Sequence, residues 1–270
     1  MSLLSASDDR PIHFQGIGGA GMSALAELFH RRGAKVTGCD QNPDGAADLL
    51  KLGIEVARGH DPLHVEGHRA LVVSSAIPKD HIELLRAKNL GLEVVRRAEA
   101  LAEATAGGML IAIAGTHGKS TTTVMTTEAL TAAGKAPTGV VGARVTAWGG
   151  NLSAGGHDLF VVEADEYDRS FLALKPTVAV VTNVEADHLD IYKDLDDIRA
   201  TFAEFVSRAR YVILCADDPN ANELPSPATA EVIRYGIESP DARLVARDIT
   251  HRDGRTHFTV QYDGKPLGDV

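Results

Sequence analysis

The sequence predicts an α/β fold with two successive parallel sheets. Short apolar segments alternate with helical patterns, this alternation occurs in two runs, and each run has its own glycine-rich turn, at 16–21 and 115–118. Strands that alternate with helices in this way form parallel sheets covered on both faces. The pair Gly107-Gly108 separates the two runs. We therefore expect one domain over 1–107 and a second over 108–270.

The first run predicts strands joined by helices. Strands are expected over residues 12–17, 35–39, 54–57, 70–74 and 92–96. Helices are expected from Met22 to a stop at Gly33 and over residues 46–52, 79–89 and 98–104. Gly33 ends the first helix because glycine readily adopts the left-handed conformation found just beyond many helices.

The second run predicts a similar sheet that ends in an antiparallel ribbon. Strands are expected over 109–114, 138–141, 158–163, 177–182 and 211–215, and helices over 119–133 and 196–209. The segments 244–249 and 258–262 flank Asp253-Gly254, and this pattern is typical of a hairpin. Asp263-Gly264 begins another hairpin, within which the chain stops. We interpret this as a truncated chain with an incomplete second domain.

The composition favours a cytoplasmic globular protein. The two cysteines exclude a disulfide framework. The first ten residues lack the basic and apolar regions of a signal peptide, and no apolar segment approaches the ~18–20 residues that span a bilayer. The net charge of −10 argues against nucleic acid as a partner and is compatible with nucleotide binding. We therefore expect no membrane and no nucleic-acid partner.

The segment 109–123, MLIAIAGTHGKSTTT, predicts a strand, a glycine turn and a helix N-terminus. This arrangement binds phosphate through free backbone N–H groups. Lys119 would contact the β- and γ-phosphates, and Ser120 would offer a hydroxyl to Mg²⁺. The first glycine of the usual pattern would fall at Ile113, so this turn is tighter. The alternative is a simple strand–helix turn with an exposed lysine.

A second glycine motif lies near the N-terminus. Gly16, Gly18 and Gly21 fit G-x-G-x-x-G between a strand and a helix, and Asp40 closes the next strand. In a dinucleotide fold such residues hold a pyrophosphate and a ribose hydroxyl. We therefore predict a Rossmann-like domain, although the motif does not select the nucleotide. The alternative is that the glycines only allow close packing of helix and strand.

Two polar clusters follow apolar strands of the second run. Their members are Glu163, Asp165, Glu166 and Asp168 in the first, and Asn183, Glu185, Asp187, His188 and Asp190 in the second. Ligands bind at the carboxyl ends of strands in open α/β sheets. We therefore expect Lys119, Ser120, Glu163 and His188 to share a metal-assisted phosphoryl-transfer site. The alternative for the acidic cluster is a solvated loop.

Other polar residues are interpreted more simply. His60, His64 and His68 are spaced four apart, but no cysteine or acidic residue completes a convincing zinc set, so we predict a polar turn. Cys39 and Cys215 lie in apolar strands and are expected to be packing residues. Trp148 is expected in a flexible loop.

Five segments in this order resemble the Mur ligase family: HFQGIGGAGMSALAE, VVSSAI, AGTHGKSTTT, EADEYDRSF and TNVEADHLDIY. The resemblance covers nearly the whole chain from Ile12 onward, and the combination is more specific than any one motif. It implies a Rossmann-like UDP-binding domain followed by a P-loop-type α/β ATPase domain. Members of the family use ATP to convert a carboxylate into an acyl phosphate, from which an amine displaces phosphate.

The resemblance also implies site residues. Those for the UDP substrate are Gly18, Gly19, Ala20, Gly21, Met22, Asp40, His60, Ser74, Ser75, Ala76 and Ile77. Those for ATP are Gly115, Thr116, His117, Gly118, Lys119, Ser120, Thr121 and Asn183. The catalytic residues that the resemblance implies are Lys119, Glu163 and His188. One Mg²⁺ would lie on Ser120 and Glu163, and a second on His188.

The branch within the family is indicated by one departure from the pattern. Several sister ligases carry a carbamylated lysine where this chain has Ala203. Without this lysine, the chain resembles the alanine-adding branch or the muropeptide-recycling branch of the family. The segments HFQGIGGAGMSA and VVSSAIP resemble the alanine-adding branch more closely, which implies UDP-N-acetylmuramate and L-alanine as substrates.

Two functions outside this class stay open at this point. An NAD-dependent oxidoreductase would explain the first glycine loop but not GTHGKS or the polar strand ends. A non-catalytic nucleotide-binding module is the other alternative. The family's C-terminal domain and the adenine-contacting segment would lie beyond Val270, so we expect this chain to bind substrate and ligate poorly. The oligomeric state is not predicted.

Overall fold

The computed structural model describes residues 3–5 and 7–270 and divides into two compact units. The first unit comprises the chain up to Leu110 together with Ser120–Glu163. The second comprises Ile111–Lys119 together with Ala164–Val270. Of the first ten residues, 1, 2 and 6 lie outside the described part of the chain.

The first unit opens with a parallel sheet in the order β3-β2-β1-β4-β5. Its strands are β1 Ile12–Gln15, β2 Val36–Asp40, β3 Glu55–Arg58, β4 Ala70–Val73 and β5 Glu93–Arg96. The helices that alternate with them are α1 Ala20–Arg31, α2 Ala47–Lys51, α3 Ile82–Asn89 and α4 Arg97–Thr105. This confirms the predicted Rossmann-like sheet, with boundaries shifted by up to three residues.

The sheet is covered because β1 and α1 are both apolar on their facing sides. Phe14 on β1 and Phe29 on α1 are fully buried, and their rings meet edge to face with centroids 5.7 Å apart. Such an aromatic pair adds about 0.5–1.5 kcal/mol beyond simple burial. Gly33 follows α1 with φ +87°, which confirms the predicted stop.

The remaining elements follow in chain order. They are β6 Met109–Ala114, α5 Lys119–Ala132, β7 Thr138–Val145, β8 Gly150–Ser153, β9 Leu159–Glu163, β10 Val178–Val181, α6 Leu195–Val206, β11 Tyr211–Cys215, α7 Pro219–Asn222, β12 Glu231–Gly236, β13 Leu244–Arg252, β14 Arg255–Tyr262 and β15 Lys265–Asp269. Within the first unit, β7 pairs in parallel with β9 and antiparallel with β8.

In the second unit the strand order is β15-β14-β13-β12-β11-β10-β6. The pairings from β6 to β13 are parallel, and β13, β14 and β15 form the predicted antiparallel ribbon. Sequence analysis missed α7, β12 and β8. These elements are four to six residues long, too short to show a clear hydrophobic period.

Trp148 lies in a short turn between β7 and β8, and the expected flexibility of this segment stays a prediction. Trp148 closes a short 3₁₀ turn, Thr146–Trp148, and its indole Nε1 donates a hydrogen bond to Glu128 Oε1 at 2.6 Å. None of the helices in the described residues combines the length and hydrophobicity needed to span a bilayer.

Candidate functional site

The turn after β6 is shaped by its two glycines. Gly115 has φ +138° and Gly118 has φ +83°, conformations that other residues rarely adopt. A Cβ at Gly115 would collide with the hydroxyl of Thr182. The turn therefore needs glycine both for its backbone conformation and for its close approach to the end of β10.

The segment after β10 holds this turn in place. Asn183 Oδ1 accepts a hydrogen bond from the His117 amide at 2.8 Å, and its Nδ2 donates to the His117 carbonyl at 3.1 Å. The Thr116 amide donates to the Asn183 carbonyl at 3.0 Å, and Thr116 Oγ1 accepts from the Glu185 amide at 2.8 Å. Asn183 is thus a residue that fixes the shape of the turn.

Lys119 is paired with a buried carboxylate. Its Nζ lies 2.8 Å from Glu166 Oε1 and also donates to the Gly115 carbonyl at 2.7 Å. The Glu166 side chain is only 4% exposed, and its Oε2 has no hydrogen-bond partner among the described residues. Burial raises the pKa of Glu166, and Lys119 opposes that rise. The sequence placed Glu166 in an acidic cluster but gave no signal of this pairing.

His188 lies beside the same carboxylate. Its Nε2 is 3.8 Å from Glu166 Oε1, and its ring meets Tyr167 edge to face at 5.1 Å. The backbone of His188 has φ +52°, a left-handed conformation that is uncommon for a side-chain-bearing residue. Strain of this kind clusters at functional sites, because the surrounding contacts must hold it.

The loop that carries Glu166 is anchored from α6. Asp168 and Arg169 both have φ +54°. Arg169 Nη2 donates to both carboxylate oxygens of Asp197, at 2.8 and 2.7 Å. The buried Tyr192 hydroxyl donates to the Glu166 carbonyl at 2.6 Å. These contacts hold a strained turn in one conformation and fix the position of Glu166.

Ser120 and Glu163 form a second pair, within the first unit. Ser120 Oγ donates to Glu163 Oε2 at 2.9 Å, and the Gly142 amide donates to the same oxygen at 2.7 Å. Of the other residues predicted for ATP, His117, Gly118 and Thr121 are exposed, whereas Gly115 and Thr116 are buried. The common centre predicted for Lys119, Ser120, Glu163 and His188 stays a prediction.

The first glycine loop is shaped by Asp40. The carboxylate accepts from the Gly18 amide at 2.9 Å through Oδ2 and from the Asn42 amide at 2.9 Å through Oδ1. Gly19 caps α1, whose first turn contains no acidic residue that would repel an anion. Met22 is buried, so its side chain is not open to a ligand at this end of α1.

Arg97 is a candidate site residue that sequence analysis missed. A Cβ at Gly21 would collide with the Arg97 guanidinium, so this cation lies directly against the first turn of α1. Arg97 begins α4, just after β5 ends at Arg96. In a parallel sheet this is the same edge as the glycine loop, and a cation there favours bound phosphate. The available signal in the sequence was the basic pair Arg96-Arg97 at the junction of β5 and α4.

The other predicted UDP contacts lie at the same edge of this sheet. Ser74 follows β4, Ser75 and Ala76 are exposed, and Ile77 packs against an apolar cluster. His60 Nδ1 lies 3.1 Å from Glu83 Oε2 and 3.2 Å from Cys39 Sγ. These positions are compatible with a substrate site, and the individual UDP contacts stay predictions.

One expectation for this region was wrong. The structure brings Glu83 and Cys39 to His60 and His64, two of the three histidines that we interpreted as a polar turn without a cysteine or acidic partner. Cys39 is buried as predicted, but its thiol donates to Glu83 Oε1 at 3.1 Å and is therefore more than a packing group. The error arose because Glu83 and Cys39 are distant from these histidines in sequence.

The fold and these contacts define the class, an α/β protein with a P-loop-type strand–turn–helix and a Rossmann-like companion sheet. The family model described as Mur ligase middle domain matches residues 113–268. The model described as Mur ligase family, catalytic domain, matches residues 11–108. The chain belongs to the Mur ligase family, as the sequence motifs predicted.

Comparison with curated proteins indicates which members it resembles. The UDP-N-acetylmuramate--L-alanine ligase of Burkholderia cenocepacia (strain HI2424) is 45% identical over 265 residues, covering 96% of this chain and 57% of that protein. The Burkholderia thailandensis protein of the same name is 43% identical over 259 residues, covering 94% of this chain and 56% of that protein. This chain therefore spans a little over half the length of these relatives.

Solved structures give the same fold. UDP-N-acetylmuramate-alanine ligase MurC from Thermotoga maritima matches with a TM-score of 0.85 and 26% identity, covering 97% of this chain and 60% of that one. The UDP-N-acetylmuramate:L-alanyl-gamma-D-glutamyl-meso-diaminopimelate ligase from Neisseria meningitides matches with a TM-score of 0.84 and 27% identity. The match covers 97% of this chain and 87% of that one. The predicted fold class is confirmed.

Proposed function

We propose that this chain supplies the UDP-substrate-binding and ATP-binding parts of a ligase that joins L-alanine to the carboxylate of UDP-N-acetylmuramate. The reaction consumes ATP, passes through an acyl phosphate and contributes to peptidoglycan precursor synthesis. The observation that carries this proposal is the placement of Lys119 by the GTHGKS turn, beside the buried Glu166. The identity to UDP-N-acetylmuramate--L-alanine ligases supports the choice of substrates.

In the ATP-binding part, the turn offers backbone amides and Lys119 offers a positive charge. We assign ATP contacts to Gly115, Thr116, His117, Gly118, Lys119, Ser120, Thr121 and Asn183. Lys119 would stabilise the charge that develops on the transferring phosphoryl group. Glu166 holds the ammonium group at the turn before nucleotide arrives, which limits the reorganisation needed on binding.

The residues assigned to Mg²⁺ fit a hard cation. Ser120 Oγ and Glu163 Oε2 are oxygen donors 2.9 Å apart. The second ion is assigned to His188, where the unpartnered Oε2 of Glu166 adds buried negative charge within the described residues. When bound, Mg²⁺ would screen the negative charge between the phosphates and the substrate carboxylate.

In the substrate-binding part, we assign the UDP diphosphate to the first turn of α1. The amides of Gly18 to Met22 are supported there by Arg97, and Asp40 keeps the loop in shape. His60 and Ser74 to Ile77 are assigned to the remainder of UDP-N-acetylmuramate. We assign this part to a domain of residues 1–107 and the ATP-binding part to residues 108–270. Because a nucleotide sugar and ATP are cytoplasmic metabolites, we place the reaction in the cytoplasm.

The proposal is tested by calorimetric titration of this chain with UDP-N-acetylmuramate, ATP–Mg²⁺ and NAD. We expect the first two to bind and NAD not to bind. Lys119→Met is expected to weaken ATP binding and to leave UDP-N-acetylmuramate binding unchanged. Binding of NAD without binding of UDP-N-acetylmuramate would contradict the ligase proposal and assign the first glycine loop to a dinucleotide.

A second candidate is a ligase that attaches a preformed peptide to the same nucleotide sugar. The match to the Neisseria meningitides ligase favours it, because its TM-score is within 0.01 of the MurC match. The two candidates differ in the amine. Incubation with ATP, UDP-N-acetylmuramate and either L-alanine or the tripeptide L-alanyl-γ-D-glutamyl-meso-diaminopimelate, with product detection by mass spectrometry, distinguishes them.

A further inference from the structure

A cluster of metal-ligating side chains surrounds Glu83 in the first unit. Nitrogen, sulfur and oxygen donors of His13, Cys39, His64 and Glu83 all lie within 4.8 Å of one another. The four residues come from β1, the end of β2, the segment after β3 and the first turn of α3. The phosphate-loop residues of the proposed ATP site take no part in this cluster.

Glu83 is the centre of the cluster. Its carboxylate is fully buried, yet it is the shared partner of one thiol and several imidazoles. Glu83 Oε1 lies 2.9 Å from His64 Nδ1 and 3.1 Å from Cys39 Sγ. Burial of a carboxylate is costly unless positive charge or several hydrogen bonds compensate it. In this structure the Cys39 thiol, the Asp61 amide and the imidazoles supply hydrogen bonds to Glu83, and a divalent cation would add positive charge.

His13 provides a second, independent indication. Only 2% of the surface of His13 is exposed. Its Nδ1 forms a hydrogen bond with Thr37 Oγ1 at 2.9 Å. Its Nε2 is buried and has no hydrogen-bond partner in the described part of the chain. When Nδ1 donates to Thr37 Oγ1, the lone pair of the buried Nε2 is left for a ligand. An unpartnered lone pair at this depth is suited to a metal.

We propose that His13, Cys39, His64 and Glu83 form a binding site for one zinc ion, separate from the magnesium site of the proposed reaction. Two imidazoles, one thiolate and one carboxylate are ligands that zinc takes in tetrahedral sites. The thiol excludes Mg²⁺, which prefers oxygen ligands. In a tetrahedral zinc site neighbouring donors are about 3.3–3.8 Å apart, and small side-chain rotations bring a set within 4.8 Å to that spacing.

Binding would release the Cys39 proton to solvent. In this structure the Cys39 thiol is protonated and donates to Glu83 Oε1 at 3.1 Å. The zinc ion replaces that proton as the partner of both groups, and charge balances because Zn²⁺ meets one thiolate and one carboxylate. His60 keeps its own contact with Glu83 Oε2 at 3.1 Å.

The site would tie together segments that form the edge assigned to UDP. The segment after β3 carries both His60 and His64, and it is joined to α3 through Glu83. A bound ion would therefore rigidify the surroundings of His60. The zinc assignment does not depend on the ligase proposal, and it is tested without any substrate.

The test is a titration of chelator-treated protein with Zn²⁺ against a competing indicator, in excess Mg²⁺. We expect one equivalent to bind and the thermal unfolding temperature to rise, because a ligand that binds only the folded state stabilises it. Co²⁺ in place of Zn²⁺ should give a thiolate-to-cobalt charge-transfer band and the strong visible bands of a tetrahedral site. Absence of stoichiometric binding, or of the charge-transfer band, would overturn the proposal.

Variants assign the ligands. Cys39→Ser should abolish the charge-transfer band, and His64→Gln should weaken Zn²⁺ binding at least tenfold. Cys215→Ser and His251→Gln are matched controls that should change neither property. Loss of the band in Cys215→Ser with its retention in Cys39→Ser would overturn the assignment. If a variant does not fold, the wild type still tests the proposal. Its unfolding temperature should rise with Zn²⁺ and not with Mg²⁺ alone, and an equal response to both ions would overturn the zinc site.

Discussion

Lys119 Nζ lies 2.8 Å from Glu166 Oε1, although the two residues are 47 positions apart in the sequence. Both side chains are largely buried, at 14% and 4% exposure. Removing one partner of such a buried ion pair strongly destabilises the folded protein, because the other charge is left buried and uncompensated.

We therefore predict that Lys119→Met and Glu166→Gln each reduce the free energy of unfolding by about 3 kcal/mol. The double variant should lose clearly less than the sum, because it leaves no unpaired charge. Urea unfolding followed by circular dichroism measures all three variants. Additive losses would show that Lys119 and Glu166 contribute to stability independently.

A second prediction concerns the support of the phosphate turn by Asn183. Asn183→Ala removes two hydrogen bonds to His117, and we expect ATP–Mg²⁺ affinity to fall about tenfold, since each bond contributes about 0.5–1.5 kcal/mol. Calorimetry with a non-hydrolysable ATP analogue measures the change. Asn89→Ala, an exposed helix-end substitution, is the control. Unchanged affinity in Asn183→Ala would mean that the turn keeps its shape without this side chain.

A third prediction tests Arg97 at the first turn of α1. Arg97→Met should weaken UDP-N-acetylmuramate binding about tenfold, because a charge-assisted hydrogen bond to phosphate contributes about 1.5–3 kcal/mol. Lys88→Met removes the same charge from an exposed site on α3 and should have no effect. Gly21→Ala keeps the charge but displaces the guanidinium, so we expect it also to weaken binding. Equal affinities for Arg97→Met and Lys88→Met would exclude Arg97 from the site.

A fourth prediction concerns pH and Asp217. Its carboxylate accepts from the amides of Ile237, Glu238 and Ser239, at 2.7, 3.1 and 2.8 Å. Partial burial pushes the pKa of Asp217 upward, but the three amide hydrogen bonds outweigh burial and hold it below the usual 3.8. The folded protein therefore binds this proton less tightly than the unfolded chain. The resulting stabilisation is present above pH 3.8 and is lost as pH falls through the folded-state pKa.

Asp217→Asn should accordingly lower the free energy of unfolding by about 1 kcal/mol at pH 7. The difference from the wild type should shrink as the pH falls below 3.8. Denaturant unfolding of both proteins over a series of pH values measures this difference in the free energy of unfolding. Asp253→Asn, in the hairpin turn at φ +53°, removes the same charge where no such contacts occur among the described residues, and it should show no comparable pH dependence. A difference that stays constant with pH would contradict the assigned cause.

Most of the architecture was predictable because its signals are local. The alternation of strands and helices, the stop at Gly33, the turn at Gly115 to Gly118 and the Asp-Gly hairpins each depend on residues within a few positions of one another. The resemblance to Mur ligases rested on the same local segments. The elements missed, such as β12, are short and lack a distinct period.

The sequence by itself determined the fold class, the two glycine turns and the family of this protein. Tertiary structure alone decided which side chains meet: Glu166 with Lys119, Arg97 with Gly21, and Glu83 with Cys39 and His64. The physical reason is that backbone conformation is set by neighbours along the chain. Side-chain partners are instead set by strand order and register, which bring together residues from distant segments. The predicted phosphate turn was therefore visible in the sequence, whereas the buried partner of its lysine and the proposed zinc ligands were not.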